Sequence, residues 1–147
     1  MLKEKDIQAT AISYKNQTIL LMGSAGVGKT TLALQLIERG AILIGDDCVN
    51  IFIKNNQLYC KSKEILKSFV EVRGLGLLNG LKVAKPAPVL CVIRLHKKPT
   101  ERLPKPKTIS LLNKKIPVFD FYACNSTEIS VLYLLRTLTG ELTLIKE

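Results

Sequence analysis

The residues with the clearest chemical meaning lie at positions 23–30, which read Gly-Ser-Ala-Gly-Val-Gly-Lys-Thr. They match the pattern G-x-x-x-x-G-K-[ST], whose glycines let the backbone wrap so that its N–H groups point at phosphate oxygens. An apolar run precedes them and a helical pattern follows, so the positive end of a helix adds to the attraction. We predict a nucleotide-binding loop, with Lys29 on the β and γ phosphates and Thr30 on Mg²⁺. The members of this loop are Gly23, Ser24, Ala25, Gly26, Val27, Gly28, Lys29 and Thr30.

Two adjacent carboxylates, Asp46 and Asp47, end the apolar run that comes after the predicted helix. A strand that pairs beside the strand leading into the loop brings its carboxyl end to the phosphates. Because neighbouring side chains diverge at a strand end, one carboxylate can serve the metal or its waters while the other accepts a proton from an incoming hydroxyl. Asp-Asp is also good turn chemistry, so a β-turn is the alternative interpretation.

The first half of the chain supplies the elements that must position these groups. Residues 12–22 predict a hairpin with a polar turn, residues 30–39 a helix that stops at Gly40, and residues 41–44 a buried strand. Asn55-Asn56 predicts the turn of a second hairpin. These alternating elements favour an α/β domain around one mixed sheet with flanking helices.

The second half is richer in strands and ends in a helix. A buried strand is predicted at 88–95 and further strands at 108–112 and 115–122. Residues 64–80 could begin with a helical turn and continue as a glycine-punctuated segment. Asn125 and Glu128 resemble a capping box that opens a helix ending near residue 138. The apolar side of this helix is predicted to comprise Ile129, Leu132, Tyr133 and Leu135.

Composition narrows the class of protein. The 147 residues are enough for one domain, which we place at 1–147, and 22 basic against 12 acidic residues give a net charge of +10 that suits an anionic partner. Four scattered cysteines and a single histidine argue against a zinc site or a disulfide framework. No secretory leader or membrane-length apolar run is present, so we expect a cytoplasmic protein with no membrane partner.

The residues GSAGVGKTTLALQLIERGAILIGDD, followed by EVRGLG at 71–76, resemble the catalytic domain of HPr kinase/phosphorylase. The resemblance extends over about residues 8–138 and favours the short members that consist of the catalytic domain only. It implies a P-loop-containing α/β domain of the HPr kinase/PEP carboxykinase-like type. The implied activity is ATP- and Mg²⁺-dependent phosphorylation of a serine in HPr or a related phosphocarrier, with phosphorolysis in reverse. It also implies a homo-oligomer, which is a hexamer in longer relatives.

The same resemblance assigns roles to individual residues. Asp47 corresponds to the proton acceptor of the kinase reaction, Thr30 and Glu71 to the Mg²⁺ ligands, and Arg102 to an active-site arginine. Gln8 occupies the place of a family histidine, and the segment 120–126 has no positive charge where longer members carry a basic loop that supports dephosphorylation.

Three other functions stay open from the sequence. Gln8 favours a catalytically degenerate, ATP-binding regulatory module. A small-molecule kinase would use the same loop chemistry. Nucleic-acid binding through a basic loop is the third alternative. A run of basic residues is more commonly a solvated surface, and we expect no nucleic-acid partner. The basic loop comprises Lys97, Lys98, Arg102, Lys105 and Lys107.

Overall fold

The computed structural model describes residues 3–63, 68–100 and 106–145. Within these residues the helices are α1 (Lys29–Glu38) and α2 (Thr127–Leu138). The strands are β1 (Glu4–Gln8), β2 (Thr10–Tyr14), β3 (Gln17–Met22), β4 (Ile42–Gly45), β5 (Cys48–Lys54), β6 (Gln57–Ser62), β7 (Val70–Val72), β8 (Gly76–Leu78), β9 (Ala87–His96), β10 (Lys107–Leu111) and β11 (Lys114–Tyr122). Neither helix is long and apolar enough to cross a membrane.

A nine-stranded mixed sheet organises the molecule in the order β1-β5-β6-β9-β3-β2-β4, with β11 also pairing with β9 and β10 with β11. Strand β9 runs parallel to β3 and to β11. Strand β2 is antiparallel to both β3 and β4, so β4 runs in the same direction as β3. The carboxyl ends of β4, β3, β9 and β11 therefore meet at one edge of the sheet, which is where α/β domains place their ligands. The predicted α/β fold with one mixed sheet is confirmed.

Three tight turns set the registers of the β2-β3, β5-β6 and β10-β11 hairpins. Both central residues have positive φ at Lys15-Asn16, at Asn55-Asn56 and at Leu112-Asn113. Two successive left-handed residues match the twist of the flanking strands, which explains why such turns favour hairpins. The hairpins predicted at residues 12–22 and around Asn55-Asn56 are confirmed, and the first of them begins at Thr10.

Hydrophobic clusters fill both faces of the sheet. On one face α1 and α2 pack against alternate residues of β9, including Cys91, Ile93 and Leu95. On the other face Val92 joins residues of β5, β6 and β11. This alternation is the expected result of a strand that is covered on both sides. Burial also raises the pKa of the Cys91 thiol to about 12, so this thiol acts as a core residue.

The predicted start of α2 is wrong. The residue that caps the helix is Ser126 rather than Asn125, and no side chain bonds to the first-turn amides. Glu128, expected to complete a capping box, accepts a hydrogen bond from Nε of Arg39 at 2.8 Å. Thr127 holds the start of α2 in place instead, because its hydroxyl donates to the carbonyl of Tyr122 at 2.6 Å.

The predicted apolar side of α2 is also partly wrong. Ile129 and Tyr133 are each 48% exposed. The buried residues are Thr127, Val131 and Leu135. Leu132 is partly buried and packs at the margin of the core. Of the predicted set, only Leu135 is therefore fully buried.

Candidate active site

The loop between β3 and α1 has the conformation that its glycines predict. Gly23, Gly26 and Gly28 all have positive φ, at 149°, 75° and 116°. A β-carbon on Gly23 would lie 2.8 Å from the carbonyl oxygen of Leu95 and 2.9 Å from Cγ1 of Val27. No side chain fits at Gly23 without moving the backbone of β9, so the close packing of two parallel strands requires glycine here.

Lys29 and Thr30 stand at the first turn of α1, next to this loop. The Lys29 ammonium donates to the carbonyl oxygens of Gly23 at 2.7 Å and of Ser24 at 3.3 Å. It thus lies beside the backbone that would surround a phosphate chain. Val27, which the sequence placed in the same loop, is 7% exposed and belongs to the core beneath it.

Asp46 joins three segments of the chain. Its side chain is buried, and its Oδ1 accepts hydrogen bonds from the hydroxyls of Thr10 at 2.9 Å and of Thr30 at 2.8 Å. The proton of the Thr30 hydroxyl is committed to Asp46, so the oxygen lone pairs remain for another partner. No pattern in the sequence predicts the contact of Thr10 with Asp46, because the two residues lie 36 positions apart.

Asp47 takes a different direction from its neighbour. Its φ is 64°, and the Cys48 amide donates back to the Asp46 carbonyl at 2.7 Å, so that Asp47 is the centre of a γ-turn. The Asp47 side chain is exposed to the cleft. Although it is exposed to the cleft, the Asp47 carboxyl is partly desolvated, and this desolvation and the charge of Asp46 raise its pKa. Lys29 opposes the increase, and Glu71 adds to it.

One cleft of about 1020 Å³ brings most of the predicted site together. It is lined by the loop except Val27, by Asp46 and Asp47, and by Glu71 to Gly76 of the β7-β8 hairpin. Gln8 also lines it, one residue beyond the β1 position that pairs with Val49. Arg102, the remaining predicted residue, lies outside the described residues. So do residues 64–67, where the segment 64–80 is predicted to begin with a helical turn.

The oxygen atoms of this cleft are compatible with Mg²⁺. Among the described residues there is no cluster of three metal-ligating side chains. A nucleotide-bound Mg²⁺ needs fewer, because it keeps several waters and takes one or two protein oxygens besides the phosphates. The free lone pairs of Thr30, the carboxylate of Asp46 beside it and the Glu71 carboxylate in the same cleft fit this requirement.

The fold and this site define an α/β domain with a phosphate-loop motif at the carboxyl edge of its sheet. Over residues 1–120 the chain matches the family model described as HPr Serine kinase C-terminal domain. The chain belongs to this family, which confirms the resemblance inferred from its motifs.

Individual relatives agree with this assignment. The chain is 38% identical over 81 residues to the HPr kinase/phosphorylase of Mycoplasmopsis pulmonis (55% of this chain, 26% of the relative). It is 45% identical over 62 residues to that of a Thermoanaerobacter species (42% and 20%). These alignments span about a quarter of the curated relatives or less. Among solved structures, the Hpr(Ser) kinase/phosphatase from Coxiella burnetii superposes with a TM-score of 0.80 at 25% identity, over 90% of this chain and 95% of that one.

Proposed function

We propose that this chain transfers the γ-phosphoryl group of ATP to a serine hydroxyl of HPr or a related phosphocarrier. In this reaction a bond forms between the serine oxygen and the γ-phosphorus, the bond from that phosphorus to the bridging oxygen of ADP breaks, and Asp47 takes the hydroxyl proton. The observation that carries the proposal is that Lys29, Thr30 and Asp47 line one cleft. Phosphoryl transfer depends mainly on positioning and charge neutralisation, and such a set of groups supplies both.

Asp47 is the proposed base. It is exposed to the cleft, so an incoming hydroxyl can reach it. A base works best when its pKa approaches the working pH, and the pKa of Asp47 is raised by burial and by Asp46. The buried Asp46 is the proposed partner of the metal site, since it holds the Thr30 hydroxyl at 2.8 Å.

Positive charge for the phosphates comes from several sources. Lys29 and the loop residues line the cleft, as does Arg73 of the β7-β8 hairpin. The backbone N–H groups of such a loop bind phosphate oxygens. Arg102 is proposed to add a further charge on the strength of the family resemblance. Thr30 and Glu71 would hold Mg²⁺, which when bound neutralises charge on the β and γ oxygens.

The wider setting of the reaction is part of the proposal. We expect it in the cytoplasm, a reducing environment that suits the four free thiols. A homo-oligomer is proposed from the family resemblance, as is the single-domain organisation of residues 1–147. Phosphorolysis is the weaker half of the activity, because the segment 120–126 carries no positive charge to receive inorganic phosphate.

The decisive experiment measures transfer of labelled γ-phosphate from Mg-ATP to HPr by the wild type and by Asp47→Asn. Loss of the base should lower the rate by about 10²- to 10⁴-fold. Asparagine tolerates positive φ, so the γ-turn and the fold should survive. Asp6→Asn is the matched control, because it makes the same change outside the cleft. Undiminished transfer by Asp47→Asn, or no transfer by the wild type, would contradict the proposal.

A second candidate function is an ATP-binding regulatory module without transfer activity. The observation that favours it is Gln8, which lines the cleft and cannot titrate. This alternative expects ATP binding by calorimetry with no phosphoserine formed. If Gln8→His then gains transfer activity, the chain is a degenerate enzyme. If the wild type already transfers, the alternative is excluded.

A further inference from the structure

The β7-β8 hairpin carries apolar side chains that the fold does not bury. It forms a two-stranded sheet of its own, separate from the main sheet. Leu75 is 70% exposed and Leu77 is 68% exposed, and Phe69 and Leu78 beside them are also exposed. A single exposed leucine is ordinary, whereas several close together are typical of a surface that binds a partner.

Other residues attach this hairpin to the rest of the chain. Val70 is buried and pairs with Leu78, while the Ser68 hydroxyl donates to Oδ1 of Asn79 at 2.7 Å across the base of the hairpin. Successive side chains of a strand point to opposite faces, so Leu77 projects away from the face of Val70. Because Leu75 and Leu77 stay largely in solvent, they add little to the stability of the folded chain.

The register of the hairpin places both leucines at the cleft. Leu77 lies directly opposite Glu71, so the two side chains project from the same face, and Glu71 lines the cleft together with Asp47. Leu75 lines the cleft itself. At the tip, Nη2 of Arg73 lies 3.7 Å from the position that a β-carbon on Gly26 would take, so the tip adjoins the phosphate loop. The surface of Leu75 and Leu77, which we call the leucine rim, therefore continues the wall of the cleft that holds Asp47.

The openness of the leucine rim indicates that its occupant is a macromolecule. Sites for small molecules enclose most of the ligand surface. Most of each rim side chain faces solvent, so the broad surface of another protein is needed to cover both. The occupant should present apolar groups to the leucines. The carboxylates of Asp46, Asp47 and Glu71 line the same cleft and disfavour an acidic segment there.

We propose that the leucine rim is a docking surface for the acceptor protein and receives apolar side chains that flank its serine. This inference rests on the proposed phosphoryl transfer and adds the surface that brings the serine to Asp47. The two leucines do not touch the reacting atoms. They determine specificity, because their burial on docking stabilises a protein acceptor and gives nothing to a small hydroxyl compound.

The test compares L75S/L77S with the wild type. Calorimetry measures the affinities for HPr and for ATP, and transfer of labelled γ-phosphate gives the KM for HPr. Both leucines are exposed, so the fold should persist. L144S/I145S is the matched control, since Leu144 and Ile145 are 71% and 82% exposed and lie outside the lining of the cleft. Loss of two apolar contacts should raise the Kd and the KM for HPr by roughly five- to a hundredfold.

The expected result is weaker HPr binding and a higher KM for L75S/L77S, with ATP affinity unchanged and the control like the wild type. Unchanged HPr binding by L75S/L77S, or an equal loss in the control, would overturn the inference. Weaker ATP binding by L75S/L77S would place the leucines on the nucleotide instead, and an altered oligomeric state in sedimentation would place them between copies of this chain; either result would also overturn it.

The same measurements separate this inference from the proposed function. If docking at the leucine rim is wrong, wild-type transfer to HPr persists and the proposed function stands. A wild type that binds HPr through the leucines without transferring phosphate would contradict the proposed function alone. A wild type that neither binds HPr nor transfers phosphate to it would contradict both.

Discussion

Replacement of Thr10 by valine tests the buried contact that joins β2 to the carboxylate pair. Thr10 is fully buried, and its hydroxyl donates to the charged Oδ1 of Asp46 at 2.9 Å. Thr18 is a matched comparison, because it is equally buried and donates at the same distance to a neutral acceptor, the carbonyl of Ala87. Thr10 Oγ1 also accepts a long contact from the Asp47 N–H at 3.5 Å. Because that contact is weak at this distance, the two Thr→Val variants differ mainly in the charge of the acceptor that loses its donor.

Hydrogen bonds to charged groups contribute about 1.5–3 kcal/mol and neutral ones about 0.5–1.5 kcal/mol. Thr10→Val should thus lower the free energy of unfolding by about 1–1.5 kcal/mol more than Thr18→Val. For a chain of this size the additional loss corresponds to roughly 2–6 °C in melting temperature. Urea titration and thermal melts of both variants measure it. Because Asp46 also holds Thr30, Thr10→Val should raise the Mg²⁺ concentration needed for transfer, and Thr18→Val should not.

Equal destabilisation of the two variants would refute the reasoning, since the Thr10 bond would then be no stronger than a neutral one. An unchanged Mg²⁺ dependence of Thr10→Val would separately show that Asp46 does not act through Thr30.

Three further predictions follow from named contacts. Asp47 must be ionised to accept a proton, and its pKa is raised by partial desolvation and by Asp46. As the pH is lowered, the rate of transfer should therefore begin to fall at a pH above the ordinary aspartate pKa. A pH–rate profile whose acid limb lies at about 4 or below would contradict this. Asp120→Asn should lower the free energy of unfolding by about 2 kcal/mol at neutral pH. Because Arg94 lowers the pKa of Asp120, urea titrations should show this difference shrinking as the pH falls below the ordinary aspartate pKa. A difference that stays constant with pH would count against the ion pair. Leu135→Ala should lower the free energy of unfolding by about 2–5 kcal/mol and Ile129→Ala by less than about 0.5 kcal/mol. If urea titrations show similar losses for the two variants, the buried side of α2 includes Ile129, as the sequence predicts.

Local signals explain most of what could be predicted from the sequence. The Asn55-Asn56 turn requires left-handed residues, which asparagine tolerates, and the loop at residues 23–30 requires its glycines. Each of these features is determined by a few adjacent residues. The contacts that complete the site are not local: Asp46 reaches Thr10 across 36 positions, and Asp120 reaches Arg94 across 26. They depend on which strands pair and in what register, which the residue pattern does not reveal.

The sequence pattern mispredicts the buried side of α2 for a related reason. Residues 127, 131 and 135 form one row along the helix, and Ile129 and Tyr133, also four positions apart, form another. Hydrophobic spacing alone identifies both rows as candidates for the core. The choice is made by packing, because Val131 and Leu135 meet the cluster shared with α1 and β9.

The Asp46-Asp47 pair satisfies both interpretations that the sequence allowed. It is a turn, since the Cys48 amide bonds to the Asp46 carbonyl and Asp47 has a φ of 64°. That turn also separates the two side chains. Asp46 is buried and accepts hydrogen bonds from Thr10 and Thr30, whereas Asp47 faces the cleft. A residue in a regular strand at position 47 would point to the opposite side of the sheet from its neighbour. The strained conformation is therefore required for two adjacent carboxylates to serve one cleft in different roles, which is how strain is commonly used at functional sites.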